Sequence, residues 1–110
     1  MASPLARLQR RSEFLAVAAA GRKAVAPGLV LQARDRADDG APRLGFTATR
    51  KLGGAVQRNR ARRRLKEAAR LAAPRLARPG HDYVLIARAG TLSRDWAALL
   101  ADLERTFARA

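Results

Sequence analysis

Residues 44–70 read LGFTATRKLGGAVQRNRARRRLKEAAR. Two periods meet inside this stretch. From Leu44 to Thr49 the residues alternate, with Leu44, Phe46 and Ala48 on one side and Gly45, Thr47 and Thr49 on the other, which is the pattern of a strand. Past the pair Gly53-Gly54, Ala61, Leu65, Ala68 and Ala72 recur at helical spacing and draw one apolar stripe. The reading is a strand that runs through a glycine loop into a long helix over about Val56–Ala73, which Pro74 ends. Whatever the rest of the chain does, it must provide a sheet for that strand and a partner for that stripe.

The flanking sequence provides both. Upstream, Ser12 caps a helix over Glu13–Ala20 that Gly21 stops. Pro27-Gly28 then separates a short strand near Lys23–Ala26 from a longer one near Leu29–Arg34. The segment Asp35–Gly40, DRADDG, is a turn. Downstream, DYVLIAR gives a buried strand over Tyr83–Arg88. Ser93 caps a last helix with Asp95 in its first turn, and Trp96, Leu99, Leu100, Leu103 and Phe107 form its core stripe. The order is helix, three strands, helix, strand, helix. The economical fold is α+β: one four-stranded sheet packed with helices in a two-layer sandwich, a single domain over residues 1–110.

Charge narrows the function. The 23 Lys and Arg against 9 Asp and Glu leave a net charge of +14. Self-repulsion of that size works against a compact fold and is kept where a polyanion binds. The charge is also segregated, because no acidic residue falls between Asp39 and Glu67. Arginine outnumbers lysine by 20 to 3, and arginine forks onto phosphate and stacks on bases. No cysteine is present, which removes disulfides, thiol nucleophiles and thiolate metal sites and fits a reducing, cytoplasmic setting. No apolar run is long enough to span a membrane, and the opening MASPLARLQRRSEF has no apolar segment of a secretory signal.

In the basic stretch, Arg58, Asn59, Arg60, Arg62, Arg63 and Lys66 surround the alanine stripe, with Arg50 and Lys51 at the end of the preceding strand. Each cation placed on a phosphate releases counterions, with a salt slope of about 0.7 to 0.9 per contact. Gly53 and Gly54 let the backbone approach an anion, or take positive φ, just before a helix N-terminus. Asn59 carries no charge, and its amide can fix the geometry of its neighbours.

The ordered set Lys51, Gly53, Ala55, Val56, Arg58, Asn59, Arg62, Arg63, Lys66 and Glu67 resembles the Arg-Asn-Arg motif of the bacterial ribonuclease P protein subunit family. RLQRRSEFLAVAAAG resembles that family's first helix, and DYVLIARAG its late strand, so the resemblance covers most of the chain. It implies a ribosomal-protein-like fold of order αβββαβα with a left-handed βαβ crossover, an exception to the usual handedness. It implies a partner: the catalytic ribonuclease P RNA, bound by one protein monomer. That RNA uses magnesium that it binds itself to remove the 5′ leader from precursor tRNA, and the protein holds no metal or catalytic group of its own. Arg50, Lys51, Arg58, Asn59, Arg60, Arg62, Arg63 and Lys66 would contact RNA. A cleft between the first helix and the sheet would hold the leader, with Phe14 stacking on a base and Gln32 hydrogen-bonding. Some members carry further aromatics where this chain has Ala18 and Gln32.

Other readings compete. A ribosome-associated RNA-binding protein would share the size and charge. A helix that reads the DNA major groove needs one base-reading face rather than arginine on several sides, and an alanine stripe is too weak to insert in a membrane surface. Protein-only catalysis finds few groups: His81, the sole histidine, sits beside Asp82 at a strand entry and reads as a turn residue. The charge alone predicts that sulfate raises the melting temperature at matched ionic strength; an unchanged thermal transition would count against it.

Overall fold

The computed structural model describes residues 5–110; the first four residues of the opening, read above as free of a signal, lie outside them. Five strands form one sheet: β1 (Ala6–Arg7), β2 (Arg22–Ala26), β3 (Leu29–Asp35), β4 (Arg43–Ala48) and β5 (His81–Ala87), in the spatial order β1-β4-β5-β3-β2. The helices are α1 (Arg11–Ala19), α2 (Ala55–Leu76), α3 (Ala89–Ser93) and α4 (Trp96–Arg109). β4 and β5 are parallel neighbours, so α2 is the crossover between them, while β3 pairs antiparallel with both β5 and β2. The α+β class and the order of the long elements match the sequence reading. The fifth strand is a correction: β1 holds two residues, parallel to β4 through Ala6 with Arg43 and Arg7 with Leu44, too short for any periodicity to announce.

Strand alternation divides the sheet into two faces. On one, Leu29, Leu31, Ala33, Leu44, Tyr83, Leu85 and Ala87 are buried under α2 and α4. α2 contributes Ala61, Leu65, Ala68, Ala69, Ala72 and Ala73, and α4 contributes Leu99, Leu103 and Phe107. The small alanines let α2 lie close on the sheet, and dispersion contacts between well-packed atoms replace the missing side-chain bulk. On the other face α1 alone makes a smaller cluster, in which Val17 and Leu8 pack on Val84 with Phe14 beside them.

Several boundaries differ from expectation for local reasons. Ser12 does not cap α1. Residue Arg10 occupies that place, and the Glu13 carboxylate reaches back to accept from the backbone N–H of Gln9 (2.9 Å) and Arg10 (2.8 Å), satisfying orphan donors from the third helical position. Ser93 instead closes α3, and Asp95 caps α4 by accepting from the Ala98 N–H at 2.7 Å. Pro74 lies inside the last turn of α2, which continues to Leu76. The missing proline N–H costs the helix a single bond, the one to the Arg70 carbonyl four residues back, and the turn continues past it.

Two fully buried carboxylates lock this arrangement. Asp82 on β5 takes Arg36 at 2.6 Å and Arg43 at 2.7 Å, and Arg43 also reaches Glu13 at 2.5 Å. Asp102 on α4 accepts from the Gly28 N–H at the β2–β3 turn (2.9 Å), from Arg94 (3.0 Å) and from Arg105. Among the described residues no buried side-chain polar atom lacks a partner.

Burial pushes the Asp82 carboxyl up, but the guanidiniums of Arg43 and Arg36 outweigh it and hold the group below its ordinary range. A carboxylate whose folded value lies below its unfolded value of about 3.9 contributes stability that is complete above that value and is lost as pH falls through the folded one. Asp82→Ala is expected to cost on the order of 3 kcal/mol at pH 7, since it strands two arginines. Urea melts at pH 7 and pH 3 should show a smaller acid-induced loss in the variant than in the parent; equal losses would mean Asp82 is not the linked group.

Candidate nucleic-acid interface

α2 carries the charge outward because its inner side is committed to the sheet. With Ala61, Leu65 and Ala68 buried, Arg58, Arg62 and Lys66 follow one another at intervals of four along one flank. Asn59, Arg60 and Arg63 are exposed, while Arg58 and Arg62 are half-buried. Asn59 does what an uncharged residue in this run can do: its Oδ1 accepts from Arg62 Nη2 across one turn. The amide thereby points one guanidinium without neutralising it.

The loop before α2 also differs from expectation. Arg50 and Lys51 do not end the strand. They lie, exposed, in a single 3₁₀ turn over Arg50–Leu52, two residues beyond the end of β4. The turn lies directly before α2 and packs against it. Of the two glycines only Gly53 needs its lack of a side chain for backbone reasons, with φ at +139°; Gly54 has φ −75° and serves as the cap residue of α2.

One arginine of the run is structural. Arg64 Nη1 donates to the Thr91 carbonyl at 2.6 Å, and its guanidinium stands 5.7 Å from the centre of the Trp96 ring. It ties α2 to α3 and α4. Nothing in the local sequence separates it from its neighbours, because its partners lie some thirty residues away.

The second surface is on the opposite face of the sheet. Lys23, Gln32, Val84 and Gly45 form one row across β2, β3, β5 and β4. Phe14 covers the Gly45 end of that row: a Cβ on Gly45 would stand 2.5 Å from Phe14 Cε1. Gln32 is half-exposed two strands away, about 10 Å along the sheet. Phe14 and Gln32 therefore share a floor, with the Gly45 contact of Phe14 two strands from Gln32. Ala18 is exposed on α1. The next row, Val25, Val30, Ile86 and Thr47, is only partly covered, and Val25 is 52% exposed. These residues were missed as a surface, although the alternation of Leu29, Leu31 and Ala33 with Val30, Gln32 and Arg34 carries the signal. The position of α1 over this floor is set by Glu13. One oxygen caps the helix and the other holds Arg43, and those backbone bonds, with Arg43, hold the Glu13 carboxyl below its usual range.

His81 turns its Nδ1 to the Pro79 carbonyl at 2.9 Å. Among the described residues no three His, Cys, Asp or Glu side chains gather as a metal cluster, and no helix is long and apolar enough to cross a membrane.

A cationic crossover helix on one face of a mixed sheet, with a half-open helix-and-sheet cleft on the other, defines a small α+β protein with two separate surfaces. The family model described as Ribonuclease P matches residues 3–110, and the chain belongs to the ribonuclease P protein family. It is 53% identical over 110 residues to the ribonuclease P protein component of Gluconacetobacter diazotrophicus, covering 100% of this chain and 95% of that one. It is 57% identical over 100 residues to the component from Caulobacter vibrioides, covering 89% of this chain and 66% of that one. The fold is similar to the ribonuclease P protein of Thermotoga maritima, with a TM-score of 0.74 at 28% identity over 90% of this chain and 96% of that one. It is also similar to that of Staphylococcus aureus, at TM-score 0.73 and 22% identity over 93% and 92%.

The contact between Phe14 and Gly45 generates a test. Gly45→Ala should push the ring off the sheet and cost about 1–3 kcal/mol in urea denaturation. Combined with Phe14→Ala it should cost less than the sum of the single changes; strict additivity would mean that the two do not meet.

Proposed function

We propose that this chain is the protein subunit of ribonuclease P and assists removal of the 5′ leader from precursor tRNA. The observation that carries the reading is the placement of the motif: a family-matching run of arginines lies on the exposed side of a helix whose inner side is fixed to the sheet. In this reading Arg58, Arg60, Arg62, Arg63 and Lys66, with Arg50 and Lys51, neutralise phosphates of the catalytic RNA. Asn59 orients Arg62 for that contact. Arginine suits the task because its planar fork meets phosphate oxygens in pairs and stays charged at every physiological pH.

The α1 cleft takes the single-stranded leader. Phe14 offers its ring for base stacking, Gln32 offers an amide to a base or ribose, and Lys23 and Arg34 frame the floor with positive charge. The open row of Val25, Val30 and Ile86 lets unpaired bases shed water. The RNA is the catalyst, with magnesium bound to the RNA. The protein works as one cytoplasmic domain, a monomer in a 1:1 complex, and raises affinity by supplying fixed charge where RNA phosphates crowd.

Reconstitution tests this. The protein, mixed with bacterial ribonuclease P RNA and precursor tRNA at low magnesium, should speed leader release over RNA alone. Changing Arg58, Arg62 and Arg63 together to Ala should abolish the gain and lower the salt slope of RNA binding by about 2–3. Tight RNA binding without stimulation would favour a ribosome-associated role, and leader release by the protein alone would place catalysis in the protein.

A further inference from the structure

A groove of about 200 Å³ opens between β1, β4 and α2, on the face of the sheet away from the α1 cleft. Leu44, Phe46 and Ala69 form its floor, and Arg7, Lys66 and Arg70 ring its mouth; no carboxylate lines it. Arg70 is occupied by Glu67 at 2.6 Å, so Arg7 and Lys66 supply the charge. The Arg7 guanidinium already stands over the Phe46 ring, 5.8 Å from its centre.

An aromatic floor, a guanidinium above it and an ammonium at the mouth form a chemically specific combination. A purely apolar ligand would desolvate cations without compensation. A free anion would make no use of the ring. A flat heteroaromatic ring that carries a phosphate uses all three groups. Lys66 is also the third member of the flank that begins with Arg58 and Arg62, so the groove continues the face on which the bound RNA would lie.

We propose that this groove receives one unstacked nucleobase of the partner RNA, with Phe46 against one side of the base, Arg7 against the other and Lys66 on the adjoining phosphate. This rests on the RNA-binding reading of α2 and adds to it a site that recognises a base rather than charge alone. Stacking on both sides needs about 7 Å between ring and guanidinium, so Arg7 moves outward by about 1 Å. Arg7 is exposed, which leaves it free to do so. The groove is too small for a base pair, so the nucleotide must come from a loop, bulge or end.

Two measurements test the site. In the first, the full-length protein is titrated with adenosine and uridine 5′-monophosphates, and separately with ribose 5-phosphate, while amide NMR shifts are followed. The nucleotides should move Arg7, Phe46 and Ala69, and ribose 5-phosphate should not; an equal response to ribose 5-phosphate would reduce the groove to an anion site and overturn the proposal. In the second, Phe46→Leu keeps the apolar floor but removes the ring. It should weaken binding to ribonuclease P RNA roughly tenfold with an unchanged salt slope, whereas Lys66→Ala should lower the slope by about 0.7 to 0.9. Unchanged affinity in Phe46→Leu, with a normal melting transition, would also overturn it. Failure of the unaltered protein to bind the RNA would instead refute the subunit reading, and the monophosphate titration would still decide whether the groove takes a base.

Discussion

The ion cluster around Asp82 is the constraint on which the layout of this molecule depends. A carboxylate with no solvent access must be matched by charge and hydrogen bonds, or it unfolds its surroundings. Here the matching groups come from different parts of the chain. Arg36 comes from the turn after β3 and also donates to the His81 and Ala41 carbonyls. Arg43 opens β4 and extends the cluster to Glu13 at the start of α1. One buried side chain at the entrance to β5 thereby fixes the neighbouring strands and the helix that covers them. The register confirms the economy of this: Arg34, Asp82 and Arg43 occupy one row across β3, β5 and β4.

The same chemistry explains how a chain of net charge +14 forms a compact core. Part of its arginine is structural. Arg36 and Arg43 serve Asp82, Arg94 and Arg105 serve Asp102, and Arg64 serves the Thr91 carbonyl and the Trp96 ring. Among the described residues, what remains on α2 has no carboxylate partner apart from two exposed pairs, Arg70 with Glu67 and Arg75 with Glu104, each at 2.6 Å. The α2 run is therefore a dense patch of the surplus, while Arg10, Arg11, Arg22, Lys23 and Arg78 carry more of it, exposed, elsewhere on the surface. The alanine stripe reinforces the separation, because short side chains on the inside leave no room for a guanidinium to turn inward.

The contribution of sequence can be judged residue by residue. The stripe Ala61, Leu65, Ala68 and Ala72 is buried as periodicity requires, and so are Leu99, Leu103 and Phe107 on α4. These readings succeed because a helix or strand writes its burial in its own period. Cap positions were harder. Ser12 and Ser93 have the right chemistry, but Glu13 and Asp95 reach the free N–H groups, and the choice turns on where the preceding segment enters. Asp82 and Asp102 gave no local sign of burial, since their partners are supplied by distant segments. Of the two sheet faces, the open one was legible at Phe14 and Gln32 only through family likeness. Its second row became visible when the strand pairings placed Val25, Val30, Ile86 and Thr47 side by side.

The two surfaces lie on opposite faces of one sheet, and this limits how they can influence each other. α2 rests on Leu44, Leu85 and their neighbours, while α1 rests on Gly45 and Val84, which alternate with them along the same two strands. β4 and β5 are central and parallel, and both their faces are packed, so neither can shift without disturbing both layers. A ligand on α2 and a strand in the α1 cleft would thus meet a rigid wall between them, not a moving part. Any coupling between the surfaces then comes from geometry, because the sheet fixes the separation and angle of the two faces.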